Sequence, residues 1–370
     1  MRKLLLILLC LGYTPMVLFS QNIGGNVRAS LVFQRWDIGN INDPISEGTM
    51  PVEVNYPVME NMHLQVNHFP AMAQFGDANM AGLSDTWIRG AYSFDDDRAM
   101  FSIGLGLPTG KTMLDSTQLI IARMLSQHAF KFHLPVYGQG LTLSAGIMYA
   151  YPVSENITVG AGLNYVFRNK YKYSTLMTTD YNPGDQIGCN VGGDFQIMDN
   201  FRGNVDFVFN YYTTDKLGGQ QMFTSGPRFL TKIGLQYLME NVTYWLTAFY
   251  QTKAKNEIYS ILNDKMEPEP KNSNITLREL HLGARITLSK TLAISILGEV
   301  RSYVENEFRH DWVDLAGGGA IGEMLISDQL SLFTGFKLFF GDGYFYHPDQ
   351  SKRNPSFQGF EFQLGSQWNF

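Results

Sequence analysis

The sequence predicts an all-β chain folded as a transmembrane antiparallel up-and-down β-barrel of 16 strands, with short periplasmic turns and long extracellular loops. Three observations carry this. Segments of about ten residues alternate apolar and polar side chains, as strands with one face on lipid and one on water must. They come in pairs joined by two to four polar residues, and longer polar stretches separate the pairs. The chain starts with an export leader and ends on an amphipathic strand closed by Phe370.

In the leader, Arg2 and Lys3 precede the apolar run Leu4 to Leu11, and small Ser20 follows Leu18 and Phe19. A basic start, a short apolar core and a small residue at the cut describe a signal peptide over 1–20; the run is too short to span a bilayer. Residues 21–370 then form one barrel domain. Cleavage removes two cations and no acid, taking the formal net charge from −6 to −8. It also removes Cys10 and leaves Cys189 alone, which excludes an internal disulfide framework. An aromatic content of 14% beside 17% charged residues excludes disorder. A mean hydropathy of −0.12, with no long apolar run past the leader, excludes a helical multispan protein. The pI near 5.7 shows no basic footprint for nucleic acid.

Tight junctions fall at Met59-Glu60-Asn61, Asp95-Asp96-Asp97, Ser154-Glu155-Asn156, Met198-Asp199-Asn200, Met239-Glu240-Asn241, Ser289-Lys290 and Ser327-Asp328. Asn, Asp and Ser suit them because they tolerate turn geometry and bond to the local backbone. Long connections run over about 37–50, 70–83, 108–140, 168–184, 214–226, 255–275, 305–310 and 341–356. Seven hairpins supply 14 strands, and segments at 26–36 and 357–370 bring the total to 16. The segment 51–58, with Pro57, and the first segment are the weakest members; if either pairing is wrong the count is 14.

The alternation is direct. Leu141, Leu143, Ala145, Ile147, Tyr149 and Tyr151 share one face, and Thr142, Ser144, Gly146 and Met148 the other. Val205, Phe207, Phe209 and Tyr211 oppose Arg202, Asn204, Asp206 and Asn210. A soluble sandwich also alternates, but strand length, Tyr and Phe gathered near strand ends, and turn asymmetry through seven pairs favour the barrel. In the last strand Phe360, Phe362, Leu364, Trp368 and Phe370 share a face opposite Glu361, Gln363, Gln367 and Asn369. A terminal strand of this kind resembles the signal by which outer-membrane barrels are recognised for assembly.

The same periodicity turns Glu279, His281, Arg285, Glu299 and Arg301 inward, with Asp194, Arg202 and Asp206 as a second inward set. These charges either pair across the lumen or form a selectivity ring, and mixed signs favour pairing. Met113, Leu114, Leu119, Ile120, Ile121, Met124 and Leu125 make an unusually apolar stretch for a loop. It reads as a short helix at the mouth offering an apolar site to solutes, or as a loop packed on the rim. The run Gly106 to Thr112 imitates a phosphate-binding loop, but Leu105 stands where that loop needs glycine. No histidine pair has metal-ligand spacing, and no Gly-x-Ser-x-Gly elbow surrounds Ser126 near His128 and His133. No catalytic residue, metal or cofactor is assigned.

Gly82-Leu83-Ser84-Asp85-Thr86, Gly90-Ala91-Tyr92 and Ile103-Gly104-Leu105-Gly106-Leu107-Pro108-Thr109-Gly110 resemble a known barrel family. It comprises the outer-membrane proteins associated with the meta pathway of phenol degradation, relatives in shape of the long-chain fatty-acid transporters. The resemblance covers residues 82–112 and transfers no substrate-contacting residue. It implies passive uptake of hydrophobic or aromatic small molecules across a Gram-negative outer membrane, with lipid and the barrel-assembly machinery as partners. The chain departs from the fatty-acid transporters in having no N-terminal plug segment. A general polar porin and a structural or secretion-machinery barrel are the alternatives.

Overall fold

The computed structural model describes residues 24–39, 43–305, 307, 312–344 and 356–370. The expected leader over 1–20, His310, His347 and parts of the connections at 305–310 and 341–356 lie outside the described residues.

The chain runs through β1 (Asn26–Ile38), β2 (Ile45–Thr49), β3 (Val52–Met59), β4 (Met62–His68), β5 (Pro70–Phe75), β6 (Ala78–Leu83), β7 (Thr86–Phe94) and β8 (Ala99–Leu107). After α1 (Ser116–Leu125) come β9 (Thr142–Ser154), β10 (Ile157–Arg168), β11 (Tyr181–Asn182), β12 (Gln186–Met198), β13 (Phe201–Tyr212), β14 (Thr214–Leu217), β15 (Gln220–Thr224) and β16 (Arg228–Leu238). The rest is β17 (Val242–Lys253), β18 (Glu257–Ser260), β19 (Lys265–Pro268), β20 (Ile275–Thr287), β21 (Leu292–Glu305), β22 (Trp312–Leu325), β23 (Leu330–Tyr344) and β24 (Ser356–Asn369).

Three wall strands are bent into halves: β2 with β3, β4 with β5, and β6 with β7. Pro51 and Pro70 sit at two of the bends, where a residue without an N–H interrupts the ladder. Counting each bent pair once gives a closed antiparallel barrel of 16 strands. Closure is complete because β1 pairs with β24 from Asn26 opposite Asn369 to Ile38 opposite Phe357, leaving no open edge in the bilayer. The strand carrying Pro57 keeps its place by shifting register between Pro57 and Met59. All seven tight turns stand at one end. At one of them Asp95, Asp96 and Asp97 take φ of 56°, 53° and 66°, a conformation that Asp tolerates better than most residues.

The outer face is apolar, with Leu31, Ile103, Ile147, Leu163, Val191, Phe207, Ile296 and Leu364 all exposed. Exposed Tyr56, Tyr92, Tyr151, Tyr244 and Trp368 circle the short-turn end, and Tyr165, Phe167, Tyr211, Phe229 and Tyr250 the other. Two aromatic belts flanking an apolar band fit a bilayer with water on both sides.

The expected loops are partly corrected. Residues 70–83 are the hairpin of β5 and β6, turning at Gly76 and Asp77, and residues 45–49 of the first long connection are strand β2. Small residues (Ala71, Ala73, Ala81 and Gly82) kept the 70–83 alternation from showing in composition. The connections at 168–184, 214–226 and 255–275 contribute β11, β14, β15, β18 and β19, a five-stranded sheet on the long-loop side.

Candidate functional site

A lumen of this width cannot be filled by side chains from the wall alone. Here the connection 108–141 between β8 and β9 turns into it. Its helix α1 starts at a capping box: Gln118 N donates to Asp115 Oδ1 at 2.8 Å, and Gln118 Oε1 accepts from Asp115 N at 3.4 Å. Ile121 and Leu125 on its inner face are 0% and 1% exposed. Beyond the helix, Ala129, Phe130, Phe132, Leu134 and Tyr137 are buried in one cluster with the wall residues Trp36, Leu277, Tyr303, Val313, Leu315, Phe339 and Phe357. The Phe130 ring centroid lies 5.0 Å from Trp36 and 5.8 Å from Phe357.

Polar anchors fix the same segment nearly residue by residue. Arg301 Nη1 donates to Ala129 O at 3.0 Å and Gln34 Nε2 donates to Phe130 O at 2.6 Å. Lys131 pairs with Glu279, and His133 Nε2 lies 3.5 Å from Glu361 Oε2. Leu134 N donates to Glu47 Oε2 at 3.1 Å. Anchors from five wall strands make this a tethered plug, and they answer the backbone groups that burial would otherwise strand. Burial pushes the Lys131 ammonium down to about 8, with Arg301 adding to the effect and Glu279 opposing it.

The ends of the plug are stapled at the segments behind the family resemblance. Asp85, at the bend between β6 and β7, accepts from Gly110 N at 2.9 Å and from Gln139 N at 2.6 Å. Thr109 Oγ1 accepts from Thr86 N at 2.9 Å and donates to Ser84 O at 3.0 Å. A Cβ on Gly110 would stand 2.2 Å from Tyr137 O, so only glycine lets the two ends of the loop meet. The imitation phosphate loop is thus a clasp, its Gly110 N and Lys111 N both bonded within the chain.

The charges read from the sequence face the lumen together with the plug. His281 bridges Glu279 and Glu299 at 3.1 Å each, and Arg301 Nη2 donates to Glu299 Oε1 at 2.6 Å. Arg285 pairs with Glu323 at 2.8 Å and Lys337 with Glu361 at 3.1 Å. Glu279, His281, Glu299 and Arg301 therefore form one paired network rather than a ring of one sign. Asp194, Arg202 and Asp206 lie apart from it on β12 and β13, separated from β20 by β16 and β17, and stand opposite Asn204, Gln196 and Gly192 in the ladder.

The apolar stretch divides. Leu114, Ile121 and Leu125 are buried, Leu119 and Met124 pack against the same cluster, and Met113 and Ile120 are 54% and 53% exposed. It is not one continuous greasy surface: Met113 stands exposed before the helix and Ile120 stands exposed on it. Ser126 Oγ donates to Arg123 O at 2.9 Å, closing the helix. Nothing in the local pattern marks Gln34, Glu47, Lys131, His133 or Glu361 as anchors. Inward period-two positions mark their strands' faces, but which loop residue each meets is decided in three dimensions.

No family model matches the chain, and no curated protein matches it in sequence. Among solved structures, the chain is similar to OmpT, an outer membrane protein of Vibrio cholerae, at 12% identity over 95% of this chain and 99% of that one, TM-score 0.42. It is similar to a mutant of the monoaromatic hydrocarbon channel TodX at 9% identity, covering 94% and 91%, TM-score 0.46. It is also similar to Pseudomonas aeruginosa OprD at 9% identity, covering 94% and 95%, TM-score 0.43.

Proposed function

We propose that the protein is an outer-membrane channel for passive uptake of small hydrophobic or aromatic molecules, its lumen constricted by the loop 108–141. The observation that carries this is the tethered plug: a lumen wide enough for solutes is narrowed by a segment that polar contacts hold and that brings an apolar surface inside. The resemblance of residues 82–112 supports that solute class. Met113 and Ile120, exposed on the plug, are the first apolar contacts a solute meets. The face shared by Phe360, Phe362, Leu364, Trp368 and Phe370 is presented to the assembly machinery and then to lipid.

The test is uptake of a neutral aromatic solute such as toluene by proteoliposomes. Each exposed side chain contributes about 1 kcal/mol of apolar contact, so Met113→Ser with Ile120→Ser should slow uptake by roughly thirtyfold, with barrel assembly intact. Uptake no faster than in protein-free liposomes refutes the reading. A polar pore is the second reading, favoured by the wall of β8 to β13. There inward positions carry Ser102, Ser144, Asn164, Asn190 and Asn204, and Asn164 lies so flat that a Cβ on Gly188 would stand 2.1 Å from its Oδ1. Steady conductance in a planar bilayer, with no effect of the Met113 and Ile120 substitutions on toluene uptake, would favour that reading.

A further inference from the structure

At the long-loop end of the polar wall, four inward side chains on neighbouring strands form a chain with a defect in it. Arg168 Nη2 donates to Gln186 Oε1 at 3.0 Å, and Gln186 Nε2 donates to Asn210 Oδ1 at 2.7 Å. The Asn210 amide nitrogen then faces the Arg228 guanidinium. Turning Asn210 over lets its oxygen accept from Arg228 Nη2 at 3.0 Å and Nε at 3.3 Å, but sets its nitrogen 2.7 Å from Gln186 Nε2. Guanidinium groups only donate, and each amide offers an oxygen on one side and a nitrogen on the other. Two amides between two arginines therefore always leave one junction with donors on both sides.

The junction is also electropositive. Lys253 stands opposite Arg228 in the ladder, its Nζ 5.8 Å from the Tyr212 ring centroid. The acids Asp215 and Glu269 lie near Lys253 and point their hydrogen bonds elsewhere than at the Asn210–Arg228 junction. Asp215 accepts from Gly184 N at 2.6 Å and from the Tyr181 hydroxyl at 2.5 Å, and Glu269 accepts from Asn256 N at 2.9 Å and Ser273 Oγ at 2.6 Å. Asn210 is 2% exposed and Gln186 8%, so bulk water reaches the defect poorly, while both arginines keep part of their surface open. What the junction lacks is an acceptor, and an oxyanion supplies one that both donors can share.

We propose that Arg168, Asn210 and Arg228 form an anion site inside the lumen, which takes the carboxylate or phosphate group of a small solute. The site goes beyond the uptake reading and does not depend on it, since a neutral aromatic has no acceptor to offer here.

The test is calorimetric titration of the full chain in detergent with benzoate, with inorganic phosphate, and with benzyl alcohol as the uncharged analogue of benzoate. Benzoate or phosphate binds saturably below about 10 mM, and more weakly as sodium chloride is added. Arg228→Gln lowers that affinity by about tenfold, the worth of one charge-assisted bond, whereas Arg202→Gln at the far end of the lumen leaves it unchanged. Asn210→Asp is the second variant: its carboxylate accepts from both neighbours, so it abolishes anion binding and raises the Tm. Absence of binding by either anion overturns the proposal. So does equal weakening by Arg202→Gln and Arg228→Gln, or a Tm lowered by Asn210→Asp. Anion binding without toluene uptake would sink the hydrophobic reading alone, and the reverse result would sink the anion site alone.

Discussion

Replacing Asp85 by Asn should open the plug from its ends while the barrel stays intact. Asp85 is a buried carboxylate, 7% exposed, that receives Gly110 N at 2.9 Å and Gln139 N at 2.6 Å, one from each end of the loop. An amide at this position keeps one acceptor and turns a donor toward the other N–H. One charge-assisted bond becomes an ordinary one and the second becomes a donor–donor contact, costing about 3 kcal/mol in all. The wall ladders do not pass through these bonds, so the loss falls on local opening of the loop, which becomes roughly a hundredfold more populated. The middle of the plug keeps its own anchors at Ala129, Phe130, Lys131 and Leu134. Limited trypsin digestion mapped by mass spectrometry should therefore show accelerated cutting after Lys111, with cutting after Lys131 little changed. Bilayer recordings should show more frequent openings. Equal cleavage at Lys111 in wild type and variant, in protein whose barrel still shifts mobility on heating, would refute the staple. Equal acceleration at both lysines would refute the division of the plug into ends and middle.

Phe130→Ala attacks the middle instead. The ring is fully buried between Trp36, Phe132 and Phe357, and its loss should weaken docking by about 3 kcal/mol, now exposing Lys131 to trypsin more than Lys111. Plug docking should also respond to pH through Lys131, whose docked value of about 8 lies below the ordinary lysine value of 10.5. A base depressed on docking loses its proton first in the docked state, so docking is weakest below pH 8 and strengthens as pH rises toward 10.5. Trypsin protection at Arg123 should follow that window, and Lys131→Met should flatten it. An unchanged slope in the variant would assign the effect to another group.

The strand count, the seven tight turns and the inward and outward faces were legible in the sequence because they are local. Period-two alternation and the Asn, Asp and Ser of the turns depend on neighbours a few residues away. Where small residues blurred that pattern, at 70–83, a hairpin passed for a loop. The apolar run at 113–125 announced something unusual, but its division into buried Ile121 and Leu125 and exposed Met113 and Ile120 depended on the wall it meets. Period-two alternation placed Glu279, His281, Glu299 and Arg301 in the lumen, and only tertiary structure joined Glu279 to Lys131 and Arg301 to Ala129, 148 and 172 residues away in the chain. The Asp85 clasp and the Arg168–Gln186–Asn210–Arg228 chain were equally silent. Each is made of ordinary polar residues, and what sets them apart is the count of donors and acceptors that strand register brings into contact. Sequence by itself determined the barrel and its two faces, because burial on lipid acts on every second residue. What fills the lumen was decided by long-range contacts, whose partners leave no period in the chain.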